Sequence, residues 1–367
     1  TITVPDTLVA VANGKLKNQQ SANGMTRYTW EVKNPINNYN LVPYIGKYVN
    51  FSETFKGEKG DLNCSYWVLD YNLEKAKKQF TQVAMTIKAF EHWFGPFPWY
   101  EDDFKLVEAP HLGMEHQSAV AYGNKYGNGY LGNDLSGTGV GKKWDFIIVH
   151  EVGHEWFGNN ITTKDIADMW VHEGFTSYSE VLFTEYHFGK DDANKYIQGI
   201  RKSIKNDASI IGTYGVNAEG SGDMYYKGSN LIHTIRQVIG DDEKFRSILR
   251  GLNKDFYHGT VTTKQVEEYI STKSGIDFSK VFDQYLRTKD IPVLQYKTER
   301  NSVSFKWANC AEGFSMPVKV YLGKEQNSPT LLKPKWNEWT SVKTPASYDG
   351  KAFEVDGNFY VKSKRLD

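Results

Sequence analysis

The sequence predicts an α+β protein in three consecutive parts: a β-rich segment over residues 1–62, a mainly helical middle over 63–290 and a β-sandwich-like tail over 291–367. Three observations carry this reading. Apolar residues alternate in the N-terminal segment, then recur at three- and four-residue spacing from about position 72. After Ile291-Pro292 short alternating runs return. A length of 367 residues also exceeds what one ordinary core needs, so two or three domains are expected.

In chain order, Thr1-Ile2-Thr3-Val4 already alternates at the first residue. A strand there wants a partner, so the chain is expected to be a fragment of a longer protein, with any targeting sequence upstream. Leu8 to Ala12 is a short apolar run closed by Asn13-Gly14, a hairpin turn signal. Tyr28 to Val32 alternates, Asn34-Pro35 breaks it, and Leu41 to Phe51 reads as another strand. Phe55 to Asp61 is polar and Gly-rich, which predicts a loop and a boundary. Leu73, Ala76, Phe80, Val83, Ala84, Ile87 and Phe90 then form one helical face. Trp93 to Tyr100 reads as a packed turn after that helix. Further helical patterns cover 144–160, 167–188, 225–240 and 264–288, separated by Gly-rich polar loops. In the tail, Val303 to Trp307 and Val318 to Leu322 alternate as strands.

Composition narrows the function classes. A hydrophobic share of 40% with 24% charged residues fits a globular protein and excludes disorder or a collagen-like chain. Forty-four basic residues balance forty-four acidic ones, so charge gives no reason to expect nucleic acid or an anionic membrane as partner. No apolar run approaches the roughly 18–20 residues a membrane helix needs. Cys64 and Cys310 are too few and too distant in sequence to form a disulfide framework.

The chemistry concentrates in Phe146 to Gly158, which contains H-E-x-x-H. On a helix, positions i and i+4 share a face, so His150 and His154 aim their imidazoles at one point, as two nitrogen ligands of zinc require. Glu151 points elsewhere and suits a general base acting on the water at the open position of the metal. A catalytic zinc site needs a third protein ligand. Glu173 supplies it, 18 residues after His154, within Trp170-Val171-His172-Glu173-Gly174-Phe175. Glu180 lies two helical turns beyond Glu173 on the same face, where it can accept the second N–H of a ligating histidine.

H-E-x-x-H, eighteen residues, then Glu, together with a W-x-x-E-G-F motif, resembles the aminopeptidase N family of gluzincin zinc peptidases, which also includes the leukotriene hydrolases. The resemblance implies more. Leu112-Gly113-Met114-Glu115-His116 is similar to the family motif G-A-M-E-N or G-G-M-E-N, whose Glu binds the substrate α-amine. Glu115 matches it, with Gly113 and Met114 along the substrate-binding strand. Leu112 and His116 depart from the motif and bear on the preference for the first residue. Met224-Tyr225-Tyr226-Lys227-Gly228 resembles Y-x-K-G, whose Tyr steadies the oxyanion. The Lys-Gly frame selects Tyr225, with Tyr226 as the competing choice. His111, His116 and His172 flank the site without ligand spacing.

The resemblance further implies that the middle is a thermolysin-like catalytic domain, preceded by the end of an N-terminal β-domain and followed by a small β-sandwich. It implies one Zn²⁺ per chain, held by His150, His154 and Glu173, and peptide substrates with a free N-terminus. The expected reaction is hydrolytic release of the N-terminal residue, with Glu151 as base, Tyr225 on the oxyanion and Glu115 on the α-ammonium. Two alternatives stay open: a non-catalytic scaffold of the same fold, and an endopeptidase or other small-substrate zinc hydrolase. Oligomeric state and localisation stay open too, the latter between a bacterial envelope and the cytoplasm.

Overall fold

A computed structural model describes residues 1–299, 301–323, 328–344, 348 and 350–367. The chain divides into two compact units. The first comprises Thr1–Thr163, Val171–Gly199 and Leu249–Val261, and the second Lys164–Trp170, Ile200–Ile248 and Thr262–Asp367.

The first unit begins with β1 (Ile2–Pro5), β2 (Val9–Ala12), β3 (Lys15–Ala22), β4 (Met25–Glu31) and β5 (Pro43–Gly46). Strands β1, β4 and β3 form one sheet, while β2 pairs among the described residues with β5. Asn13-Gly14 is therefore a turn but does not close a hairpin. The Asn13 side chain explains the divergence. Its amide donates to the carbonyls of Asn40 (3.0 Å) and Gln117 (2.7 Å), and its oxygen accepts the Val42 N–H (3.0 Å).

Next come β6 (Tyr48–Gly57), β7 (Gly60–Leu69), β8 (Phe104–Glu108), β9 (Gly113–Met114) and β10 (Val120–Tyr122), in the order β6-β7-β8-β10-β9. The expected loop over 55–61 is instead the tip of the β6–β7 hairpin, closed by Gly57 opposite Gly60. Phe55 and Leu62 face each other and are both buried, while Lys56 pairs with Asp61 (2.6 Å) in solvent. The polar composition of the tip belongs to its outward positions. Strand β9 is the edge of the sheet, antiparallel to β10.

Helices α1 (Leu73–Gln79), α2 (Thr81–Phe94), α3 (Phe146–Gly153), α4 (Trp170–Phe188) and α5 (Lys190–Gly199) follow, with the parallel pair β11 (Ile161–Thr163) and β12 (Gly259–Val261). Cys64, Tyr66 and Leu106 are buried on one sheet face, where Phe80 packs 5.4 Å from the Tyr66 ring. The aromatic turn after α2 packs as expected, with Phe97 and Trp99 fully buried.

The second unit holds α6 (Tyr226–Ile239), the first half of α7 (Asp242–Asp255), α8 (Thr263–Ser274) and α9 (Ser279–Arg287). Helix α8 starts in a capping box between Thr262 and Gln265 and stops at Gly275, in the left-handed region. From residue 293 on, the described residues form a four-stranded and a three-stranded sheet. Val303, Phe305 and Trp307 on one, and Val318, Val320 and Leu322 on the other, are buried at alternate positions.

Candidate metal centre

Helix α3 is buried along its whole length. Its first turn is capped by Asp145, whose Oδ1 accepts the N–H groups of Ile147 (3.1 Å) and Ile148 (3.3 Å). Tyr122 Oη and Gln79 Nε2 donate to the other Asp145 oxygen at 2.7 Å each. This start fixes the rotation of the helix that carries His150 and Glu151 and has His154 at its C-cap.

Each imidazole is held by one ring nitrogen. His150 Nδ1–H donates to Glu180 Oε1 (2.8 Å), and His154 Nδ1–H donates to the Phe157 carbonyl (2.9 Å). Both Nε2 atoms turn to Glu173 Oε2, at 3.5 Å from His150 and 3.4 Å from His154. Gly158 keeps the second ring in place: its φ of +129° suits glycine, and a Cβ would lie 3.1 Å from His154 Nδ1. Glu180 is fully buried and also accepts the Tyr196 hydroxyl (2.6 Å), which ties the start of the network to α5.

The electrostatics follow from burial among carboxylates. Burial lowers the pKa of His154, but Glu173 and Glu115 outweigh it and bring the value up to about 9. His150 is likewise raised, by Glu173 and Glu180 against burial. Burial would lift the Glu173 carboxyl, yet the two imidazoles hold it well below the carboxylate range. Glu151 is pushed up to about 7, chiefly by burial and further by Glu115 and Glu173, against the two histidines.

These residues fit a zinc ion. Metal–ligand bonds of about 2.0–2.1 Å in a tetrahedron place neighbouring ligand atoms about 3.4 Å apart. The 3.5 and 3.4 Å separations agree with that edge. Glu173 Oε2 is a buried acceptor without a hydrogen-bond partner, as an oxygen intended for a cation would be. Carboxylates that keep protons on two imidazoles would hold a divalent cation in place of those protons.

Beside this cluster, Gly113 lies so close to Glu151 that a Cβ would stand 2.5 Å from Oε1. Gly113 and Met114 form β9, the sheet edge. The Glu115 oxygen, a Glu151 oxygen and a His154 nitrogen lie within 4.8 Å of one another. Thus His150, His154, Glu173, Glu180, Glu151 and Glu115 converge. Tyr225 and Tyr226 belong to the second unit, where Tyr225 precedes α6 and Tyr226 opens it. His116 Nδ1 meets Tyr44 Oη (2.7 Å), and His172 Nε2 accepts the Thr163 N–H (2.9 Å), so both are engaged in packing.

Four residues at this centre were not read from the sequence: Tyr196, Tyr39, Glu155 and Asn159. Tyr39, 41% exposed, points its Oη to Glu115 Oε1 at 3.5 Å. The one sequence signal for Glu155 and Asn159 was their place one and five residues after His154; their burial is seen only in the structure.

Residues 72–285 match the peptidase family M1 domain. Leukotriene A-4 hydrolase of Xenopus laevis is 23% identical over 340 residues, covering 85% of this chain and 53% of that protein. Aminopeptidase N of Lactobacillus helveticus is 25% identical over 252 residues, covering 62% of this chain and 27% of that protein. The crystal structure of Legionella pneumophila aminopeptidase A in complex with aspartic acid superposes with a TM-score of 0.79 at 18% identity, covering 98% of this chain and 43% of that one. The chain thus spans about half or less of the length of these relatives.

Proposed function

The chain belongs to peptidase family M1, and from that premise we propose that it is a zinc-dependent aminopeptidase that removes the N-terminal residue of peptides. The observation that carries the reading is the meeting of His150 Nε2, His154 Nε2 and Glu173 Oε2 at tetrahedral-edge distances, with both Nδ1 atoms already engaged. His150, His154 and Glu173 hold one zinc ion, and Glu180 fixes the His150 tautomer. Bound there, zinc supplies a Lewis acid that lowers the pKa of water and polarises the scissile carbonyl.

The chain's own groups do the rest. Glu151 takes the water proton on a carboxylate oxygen and returns it to the leaving amine. Glu115 pairs with the substrate α-ammonium and excludes N-blocked peptides. The peptide backbone lies along the β9 edge at Gly113 and Met114, where ladder hydrogen bonds are open to an added strand. The Tyr225 hydroxyl donates to the oxyanion, Tyr226 taking that role if the frame slips. In this reading residues 63–290 act as a thermolysin-like catalytic domain, between the end of a β-domain and a small β-sandwich.

Replacing Glu151 by Gln tests the assignment. Turnover should fall by at least about a thousandfold, while zinc stays bound at one per chain. Loss of the metal in that variant would overturn the roles given to Glu151 and the histidines.

A further inference from the structure

Glu155 and Asn159 are buried polar residues, 0% and 5% exposed, that have no part in the chemistry above. After His154 the chain leaves the helix through wide turns. The Asn159 N–H reaches the His154 carbonyl (3.0 Å) and the Asn160 N–H the Glu155 carbonyl (3.1 Å). Asn159 then uses its whole carboxamide. Nδ2 donates to the Glu115 carbonyl (2.8 Å) and to Glu155 Oε2 (3.0 Å), and Oδ1 accepts from Asn40 Nδ2 (2.7 Å). Glu155 is equally committed. Oε1 accepts the Ser118 N–H (2.8 Å), and Oε2 accepts the Trp99 indole N–H (2.8 Å).

The loop from Glu115 to Ser118 is therefore gripped at both ends by side chains of the segment that carries His154. Ser118 sits at φ +57°, a conformation a non-glycine residue keeps only where its surroundings impose it. We propose that Glu155 and Asn159 are positioning residues that set the distance from the zinc ligands to the Glu115 carboxylate, and so the one-residue reach between substrate amine and scissile bond. The inference rests on the reading of Glu115 as the amine anchor. A carboxylate is useful there only if it meets the ammonium while the carbonyl lies at the metal. A misplacement of about 1 Å costs on the order of a hundredfold.

The test uses the zinc-loaded full chain with Asn159→Ala and Glu155→Gln, the latter keeping an oxygen for the Ser118 N–H. KM and kcat are measured on an aminoacyl anilide with a free amine, alongside zinc content and the inhibition constant of a free amino acid. Asn159→Ala should raise KM and the inhibition constant about tenfold, with kcat within about threefold and zinc content unchanged. Glu155→Gln should move both in the same direction by less. Unchanged KM and inhibition constant in two folded variants would overturn the proposal, as would a joint loss of kcat and zinc. A wild-type enzyme that accepts the N-acetylated anilide as readily as the free one would overturn the anchor role of Glu115, and the inference with it. A wild-type preference for the free amine that survives unaltered in both variants would overturn the inference alone.

Discussion

Glu180 offers the sharpest quantitative prediction, because its two oxygens have one partner each. Glu180→Gln keeps the shape and a carbonyl oxygen but removes the charge opposite His150 Nδ1–H. That bond is 2.8 Å long and its carboxylate is fully buried. A charge-assisted hydrogen bond of this kind contributes about 1.5–3 kcal/mol. Removing the outer partner of a ligating histidine weakens metal binding by about 10–100-fold, which corresponds to about 1.4–2.8 kcal/mol. The two ranges agree, so zinc affinity should fall by between one and two orders of magnitude. Tyr196→Phe removes only the hydroxyl donor to the other oxygen (2.6 Å) and should cost less. The assay is competition for zinc against a chelator of known affinity at pH 7. Affinity within about twofold of wild type in Glu180→Gln would refute the idea that Glu180 tunes His150.

Other perturbations probe separate parts of the structure. Gly113→Ala places a Cβ 2.5 Å from Glu151 Oε1 and 2.8 Å from Ile147 Cγ2. It should lower kcat by more than about tenfold with zinc content intact, and an unaffected kcat would contradict the contact. Lys105 is buried against the Gly14 carbonyl, and burial lowers its pKa from 10.5 to about 8. Between those values the unfolded chain binds more protons at this site than the folded one, so its contribution to stability rises with pH. Denaturant unfolding of wild type and Lys105→Met should show the difference moving in favour of wild type from pH 8 to 10. A difference flat across that window would contradict the desolvated amine.

The sequence announced the centre wherever residues act through one helix. His150 and Glu151 lie on α3 with His154 at its C-cap, so the H-E-x-x-H spacing grouped them, whereas Glu173 and Glu180 on α4 were read through the family resemblance. What stayed hidden depends on distant pairings. Tyr196 meets Glu180 across 16 residues, Asn159 meets the Glu115 carbonyl across 44, and Tyr39 meets Glu115 across 76. No periodicity encodes such contacts. Strand pairing was obscured for a similar reason. Asn13-Gly14 has the composition of a hairpin turn, but three backbone partners of Asn13 redirect the chain. Strands β9 and β10, of two and three residues, are too short to show alternation. The hairpin tip at 55–61 read as a loop because its outward residues are polar, while Phe55 and Leu62 carry the buried face.

One measurement tests the proposed exopeptidase chemistry directly. A single peptide is incubated with the zinc-loaded chain in free and N-acetylated forms, and the products are weighed by mass spectrometry. Stepwise loss of residues from the N-terminus of the free peptide and no cleavage of the acetylated one are expected. Internal cuts in both forms, or no cleavage of either by protein with zinc bound, would contradict it.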